Sequence, residues 1–97
     1  MNIQFYAKNV ELTENLKDYV NDKIGSLDKY NFGITECKVD ISKSSHHKKG
    51  DVYRFEVNIV SSYTKSLIRV VVDSDNIMSA VDEAKDKLGR QITKHKK

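Results

Sequence analysis

Six lysines and arginines fall within the thirteen residues from Lys85 to Lys97, against a single acid, Asp86. The stretch therefore carries a local charge of +5 in a chain whose formal total is +3. The chemistry such a cluster offers is anion binding, and its spacing is more telling than its count. Wound at about 100° per residue, Lys87, Arg90, Lys94 and Lys97 share one arc, at intervals of three, four and three. Helical neighbours at those intervals stand roughly 5–6 Å apart. A rigid row of that kind suits a phosphate backbone, because each neutralised phosphate releases condensed counterions. The competing reading is a solvated helix face, since cations near a helix C-terminus also favour the helix dipole.

Lys23 is the next most informative cation. On a first helix it falls inside the apolar arc, between Tyr19 and Tyr30 on one side and Leu16 and Leu27 on the other. A lysine there can snorkel, with its stem on the core and its ammonium at the rim. Held so, it would also extend the cationic row of the other helix. Lys29, Lys85 and Lys96 point elsewhere on their helices and read as general solvation. Gln91 and His95 lie near the margin of the apolar face and read as packing or edge residues.

Other reactive types are poorly placed for catalysis. His46 and His47 beside Lys48 and Lys49 are adjacent rather than at ligand spacing, so no metal site is expected; the loop's charge could instead touch phosphate. Cys37 has no second cysteine to partner it and reads as a strand residue. No glycine-rich phosphate loop is present. Asp18, Asp22, Asp28, Asp82, Glu83 and Asp86 fall on polar helix faces, where solvated counter-charge is the simplest role. Neither an enzyme nor a cofactor is expected.

These side chains need elements to hold them. Met1–Ala7 alternates Ile3 and Phe5 against Gln4 and Tyr6, a short strand. Thr13 is placed to cap a helix in which Leu16, Val20, Ile24 and Leu27 trace one face to about Tyr30, with Asn31 and Gly33 as the stop. Ile34–Ser42 reads as a second strand, with Cys37, Val39 and Ile41 on one side. Lys43–Gly50 reads as a polar loop or hairpin tip. Asp51–Val60 alternates Tyr53, Phe55, Val57 and Ile59 with Arg54, Glu56 and Asn58, the clearest strand signal. After a turn at Ser61–Thr64, Lys65–Asp73 gives a fourth strand, with Ile68, Val70 and Val72 inward. Asp73 or Asp75 would cap a last helix whose stripe is Ile77, Val81, Ala84, Leu88 and Ile92.

The order is β-α-β-β-β-α, an α+β two-layer sandwich with a four-stranded sheet and both helices on one face. Ninety-seven residues suit one domain, 1–97. Charged residues make up 32% and mean hydropathy is −0.61, so a soluble chain is expected, with no membrane partner. The N-terminus lacks a basic start followed by an apolar stretch, so no secretory signal is expected. A lone cysteine fits a reducing cytoplasm. The absence of proline, with only four glycines, argues against an internal flexible linker.

Two segments carry a family resemblance. Lys8–Tyr30, KNVELTENLKDYVNDKIGSLDKY, and Ala80–Lys97, AVDEAKDKLGRQITKHKK, are similar to the ribosome hibernation promoting factors, which include the ribosome-associated inhibitor called protein Y. The second segment is the more specific, matching a pattern Asp-Lys-Leu-x-Arg-Gln-x-x-Lys-His-Lys. The chain departs from the pattern at Asn76-Ile77-Met78-Ser79, where a tyrosine is usual, and at Ser61-Ser62-Tyr63-Thr64, where a glycine is. The resemblance implies a fold like the double-stranded RNA-binding domain. It implies binding of the small ribosomal subunit in the channel of messenger RNA and transfer-RNA anticodon arms, which blocks decoding and protects idle bacterial ribosomes under stress. It carries RNA contacts onto Lys23, Lys87, Arg90, Lys94 and Lys96, whereas Lys97 rests on helix geometry alone. The expected protein is a cytoplasmic, non-enzymatic inhibitor, monomeric when free. The alternatives are a generic double-stranded RNA module and a protein-interaction adaptor.

Overall fold

The computed structural model describes residues 1–46, 50–63 and 67–95. Its elements are β1 (Ile3–Lys8), α1 (Glu14–Gly25), a 3₁₀ turn (Ser26–Tyr30), β2 (Ile34–His46), β3 (Gly50–Ser61), β4 (Leu67–Ser74) and α2 (Ile77–His95). The strands form one sheet in the order β1-β2-β3-β4. β1 pairs parallel to β2, whereas β2–β3 and β3–β4 are antiparallel. A parallel pair cannot be joined by a tight turn, and α1 supplies the crossover it needs. The α+β class and element order expected from alternation and helical spacing are those observed.

Register explains the core. Phe5 lies opposite Val39, Val39 opposite Val57, and Val57 opposite Val70, so one apolar row crosses the whole sheet. Cys37, Ile41, Phe55, Ile59, Ile68 and Val72 flank it on the same face, all buried. Leu16, Val20 and Ile24 of α1 and Ala80, Val81, Ala84, Leu88 and Ile92 of α2 close over that face in the same cluster. Each fully buried aliphatic side chain contributes about 1.5–3 kcal/mol before ordering costs. The position of α2, and hence of its charges, is set by this stripe.

Four details differ from the sequence reading. The first helix does not stay α-helical to Tyr30. Ser26 Oγ donates to the Lys23 carbonyl at 2.6 Å, a local bond that competes with the helical pattern, and the chain tightens into the 3₁₀ turn. Residues Lys43–Ser45 are strand, not loop, because they pair with Asp51–Tyr53, and Ser45 Oγ donates to Asp51 Oδ1 at 2.9 Å. Cross-strand pairing there overrides the polar composition; residues 47–49, at the proposed tip, lie outside the described residues. Neither Asp73 nor Asp75 caps α2. Asp73 stays in the ladder opposite Arg54, and Asn76 Oδ1 accepts from the N–H groups of Met78 and Ser79 at 2.9 and 3.2 Å. Lastly, Phe32 is buried although no periodic pattern marks it, its ring tilted against that of His95.

Thr13 caps α1 as expected, its Oγ1 accepting from Leu16 N–H at 3.1 Å. Asn31 takes the left-handed conformation after the 3₁₀ turn. Gly33 also has positive φ, which favours glycine, and a Cβ there would stand 2.7 Å from Ser62 Oγ, so that hydroxyl would have to rotate away.

Candidate nucleic-acid interface

Burial of the α2 stripe turns its cationic arc outward and to one side. Lys87, Arg90 and Lys94, with Gln91, line a groove of about 520 Å³ together with Arg69, Val70 and Val71 of β4. Three of the expected contact residues are thus brought to one concave surface. Lys87 is partly held by Glu83, Nζ to Oε2 3.4 Å, one turn back along the helix. Gln91, read as a packing or edge residue, is exposed on this groove and offers both an amide donor and an acceptor.

A second groove, of about 360 Å³, runs along the other flank of α2 between it and the 3₁₀ turn. Leu27, Tyr30 and Gly89 line it together with Lys29, Lys85 and Arg90. Arg90 therefore stands on the crest between the two grooves. Lys29 and Lys85, assigned to solvation on the basis of helical angle, share this second surface instead. Lys29 Nζ also sits 5.5 Å from the Tyr30 ring centroid, within cation–π range.

Lys23 lines neither groove. It lies on the seam between the helices, its Nζ 3.9 Å from Asp82 Oδ1 and 5.5 Å from the Tyr19 ring centroid. Its side chain is about one-third exposed, the snorkelled arrangement anticipated for it. Tyr19 donates to the same Asp82 oxygen at 2.7 Å. That hydrogen bond, with burial and the nearby carboxylates adding to it, raises the Tyr19 phenol above its ordinary range. Asp82, read as solvated counter-charge, in fact joins α1 to α2. Lys96 and Lys97 lie outside the described residues.

Arg69 is the groove residue that sequence reasoning missed. It alternates with Ile68 and Val70 and so reads as one more outward strand side chain. Only the packing of α2 beside β4 makes it line the same groove as the cationic row. Its Nη2 donates to Glu56 Oε1 at 3.0 Å, and Asn58 Nδ2 donates to the other Glu56 oxygen, also at 3.0 Å. The Asn58 bond and the two neighbouring arginines hold the Glu56 carboxyl below its usual range, against the effect of burial.

Nothing else in the described residues competes as a reactive centre. Cys37 is buried, and burial, with Asp28 adding to it, pushes its thiol up to about 11, leaving it protonated and inert. Among the described residues no cluster of three or more His, Cys, Asp or Glu could hold a metal ion. No helix among them is long and apolar enough to cross a membrane.

The chain is similar to known proteins over nearly its whole length. The family model described as Sigma 54 modulation protein / S30EA ribosomal protein matches residues 3–97. The chain is 32% identical over 96 residues to the ribosome hibernation promotion factor of Bacillus subtilis strain 168, covering 99% of this chain and 49% of that protein. It is 30% identical over 98 residues to the ribosome hibernation promoting factor of Escherichia coli K12, covering 99% and 94%. The chain thus spans about half the length of the first of these relatives and nearly all of the second. Its fold superposes on the crystal structure of the Thermus thermophilus Protein Y N-terminal domain with a TM-score of 0.79, at 30% identity over 98% and 99% of the two chains. A ribosomal subunit interface protein from Coxiella burnetii shares the fold, with a TM-score of 0.82 at 21% identity, over 99% of this chain and 98% of that one.

Proposed function

The chain belongs to the Sigma 54 modulation protein / S30EA ribosomal protein family, and from that premise we propose that it is a ribosome-binding translation inhibitor working without catalysis. Its partner would be the small ribosomal subunit, at the channel that messenger RNA and transfer-RNA anticodon arms otherwise occupy. By excluding them it would hold cytoplasmic ribosomes inactive under stress or in stationary phase.

The observation that carries the reading is the joint lining of one groove by Lys87, Arg90 and Lys94. Folded RNA is recognised largely through backbone geometry and 2′-hydroxyls. A row of cations fixed on a packed helix matches the first, and Gln91 beside them can meet the second. The family relatives named for ribosome hibernation add to the case. Lys23 would contribute at the seam, and Lys96 and Lys97 beyond the described end of α2.

Co-sedimentation with purified small subunits tests the proposal. Replacing Lys87, Arg90 and Lys94 together by Gln should abolish binding at moderate salt and leave the circular-dichroism melt nearly unchanged. Undiminished binding would reject the surface. Equal affinity for a free duplex of about 16 base pairs would instead indicate a general double-stranded RNA module. A protein partner that survives nuclease and high salt would indicate an adaptor.

A further inference from the structure

β4 is the last strand of the sheet, and among the described residues no strand flanks its outer side. An edge strand presents backbone N–H and C=O groups along that side. Here the edge is not bare, because Lys87, Arg90, Gln91 and Lys94 of α2 stand beside it across the groove, and Arg69 rises from the strand itself. The four cations come from two different layers of the fold and line one concavity.

Arg69 is also held in place. Glu56, pinned through its second oxygen by Asn58, accepts from Nη2 at 3.0 Å and so restrains the guanidinium. A guanidinium has five N–H donors, so an end-on contact with Glu56 leaves most of them for another anion. Its side chain is 57% exposed, against 22% for Glu56. The acid is the inner partner and the cation the outer one, the order expected if a phosphate approaches from solvent.

We propose that the RNA-binding surface continues past α2 and round the β4 edge, with Arg69 as a further phosphate-binding residue positioned by Glu56. The inference rests on the ribosomal-RNA reading and deepens it. The groove between α2 and β4 takes a stretch of RNA backbone, with phosphates on Lys87, Arg90 and Lys94 along one wall and on Arg69 along the other.

The test compares Arg69→Gln with Lys17→Gln. Both remove one positive charge, but Lys17, on α1, pairs with Glu14 and lines neither groove beside α2. Small-subunit affinity is measured for each across a fourfold range of salt. Losing one phosphate contact lowers the log–log salt slope by roughly 0.7–0.9, so Arg69→Gln should lose about threefold less affinity over that range than the parent protein. Lys17→Gln should retain the parent slope, and Arg69→Lys should recover most of it. Equal slopes for the two Gln variants would make Arg69 a matter of net charge and overturn the assignment. Full recovery in Glu56→Gln/Arg69→Gln would trace the loss to an exposed Glu56 and overturn it as well. If the triple α2 variant loses binding while Arg69→Gln keeps the parent slope, only this inference fails. If the triple variant binds normally, the ribosomal reading fails with it.

Discussion

Gly89 occupies the middle of α2, is buried, and faces Tyr30 from the 3₁₀ turn. A glycine at an interior helical position costs about 0.8–1 kcal/mol relative to alanine, so its presence in an otherwise good helix calls for a packing cause. The structure supplies one: an added Cβ would stand 2.9 Å from Tyr30 Oη and 3.5 Å from Cζ. The first separation is closer than real Cβ contacts, so the ring must move. Overpacking of this kind costs about 1–3 kcal/mol. Gly89→Ala in the parent chain is therefore pulled two ways, by propensity towards stability and by Tyr30 away from it. Removing the ring separates the effects. In a Tyr30→Ala background, Gly89→Ala should stabilise by about 0.8–1 kcal/mol, the bare propensity difference. In the parent it should be less favourable than that by about 1–3 kcal/mol. Urea unfolding of the four proteins gives the coupling directly. Additivity within about 0.3–0.5 kcal/mol would show that Tyr30 does not dictate the glycine, and the packing argument would be wrong. The site is adjacent to Arg90, so the same cycle reports on what fixes the crest of the proposed RNA surface.

Two further outcomes follow from titrations. The folded Cys37 thiol titrates at about 11, above the ordinary 9.0, so as pH rises the unfolded chain loses its proton first. The neutral thiol's contribution to stability is complete below pH 9.0 and is lost as the pH climbs to about 11. The stability difference between the parent chain and Cys37→Ala should shrink across that window, and a constant difference would contradict the burial argument. At Asp82, substitution by Ala removes both the acceptor that is the main cause of the raised Tyr19 titration and the acid that holds Lys23. The phenol should titrate closer to its ordinary value by ultraviolet absorbance, and small-subunit affinity should rise; an unmoved Tyr19 would show that the hydrogen bond is not the cause.

Alternation and helical spacing make the sheet and both helices legible in the sequence, because each element buries one face and the period of burial is written in the chain. The same logic revealed Lys87, Arg90 and Lys94, since residues on one helical arc must share a surface. It failed where position depends on tertiary contact. The angle of Lys23 on its helix was right, yet nothing local indicated that Asp82 would meet it. Arg69 looked like any outward strand residue because neither the edge position of β4 nor the overhang of α2 is a local property. Lys29 and Lys85 were set aside on helical angle, but the 3₁₀ turn redirects the end of the first helix and brings them to a common groove. A serine donating to a carbonyl three residues back was the available signal for that turn, and Asn76, two residues before Met78, was the available signal for the α2 cap.

The acids beside the cations bear on what kind of anion the surface selects. Glu83 stands 3.4 Å from Lys87, Asp82 3.9 Å from Lys23, and Glu56 3.0 Å from Arg69. Exposed pairs of this sort contribute only about 0.2–1 kcal/mol each and are screened by salt. An isolated phosphate that displaces one of them exchanges one weak, solvated pair for another. A polyanion of fixed spacing differs, because each contact also releases counterions already condensed on the nucleic acid, and those gains accumulate along the row. Paired cations thus lower affinity for single small anions far more than for an extended backbone. On this argument the acids among the basic residues sharpen the preference for RNA, and their nearness to Lys23, Lys87 and Arg69 is consistent with the proposed function.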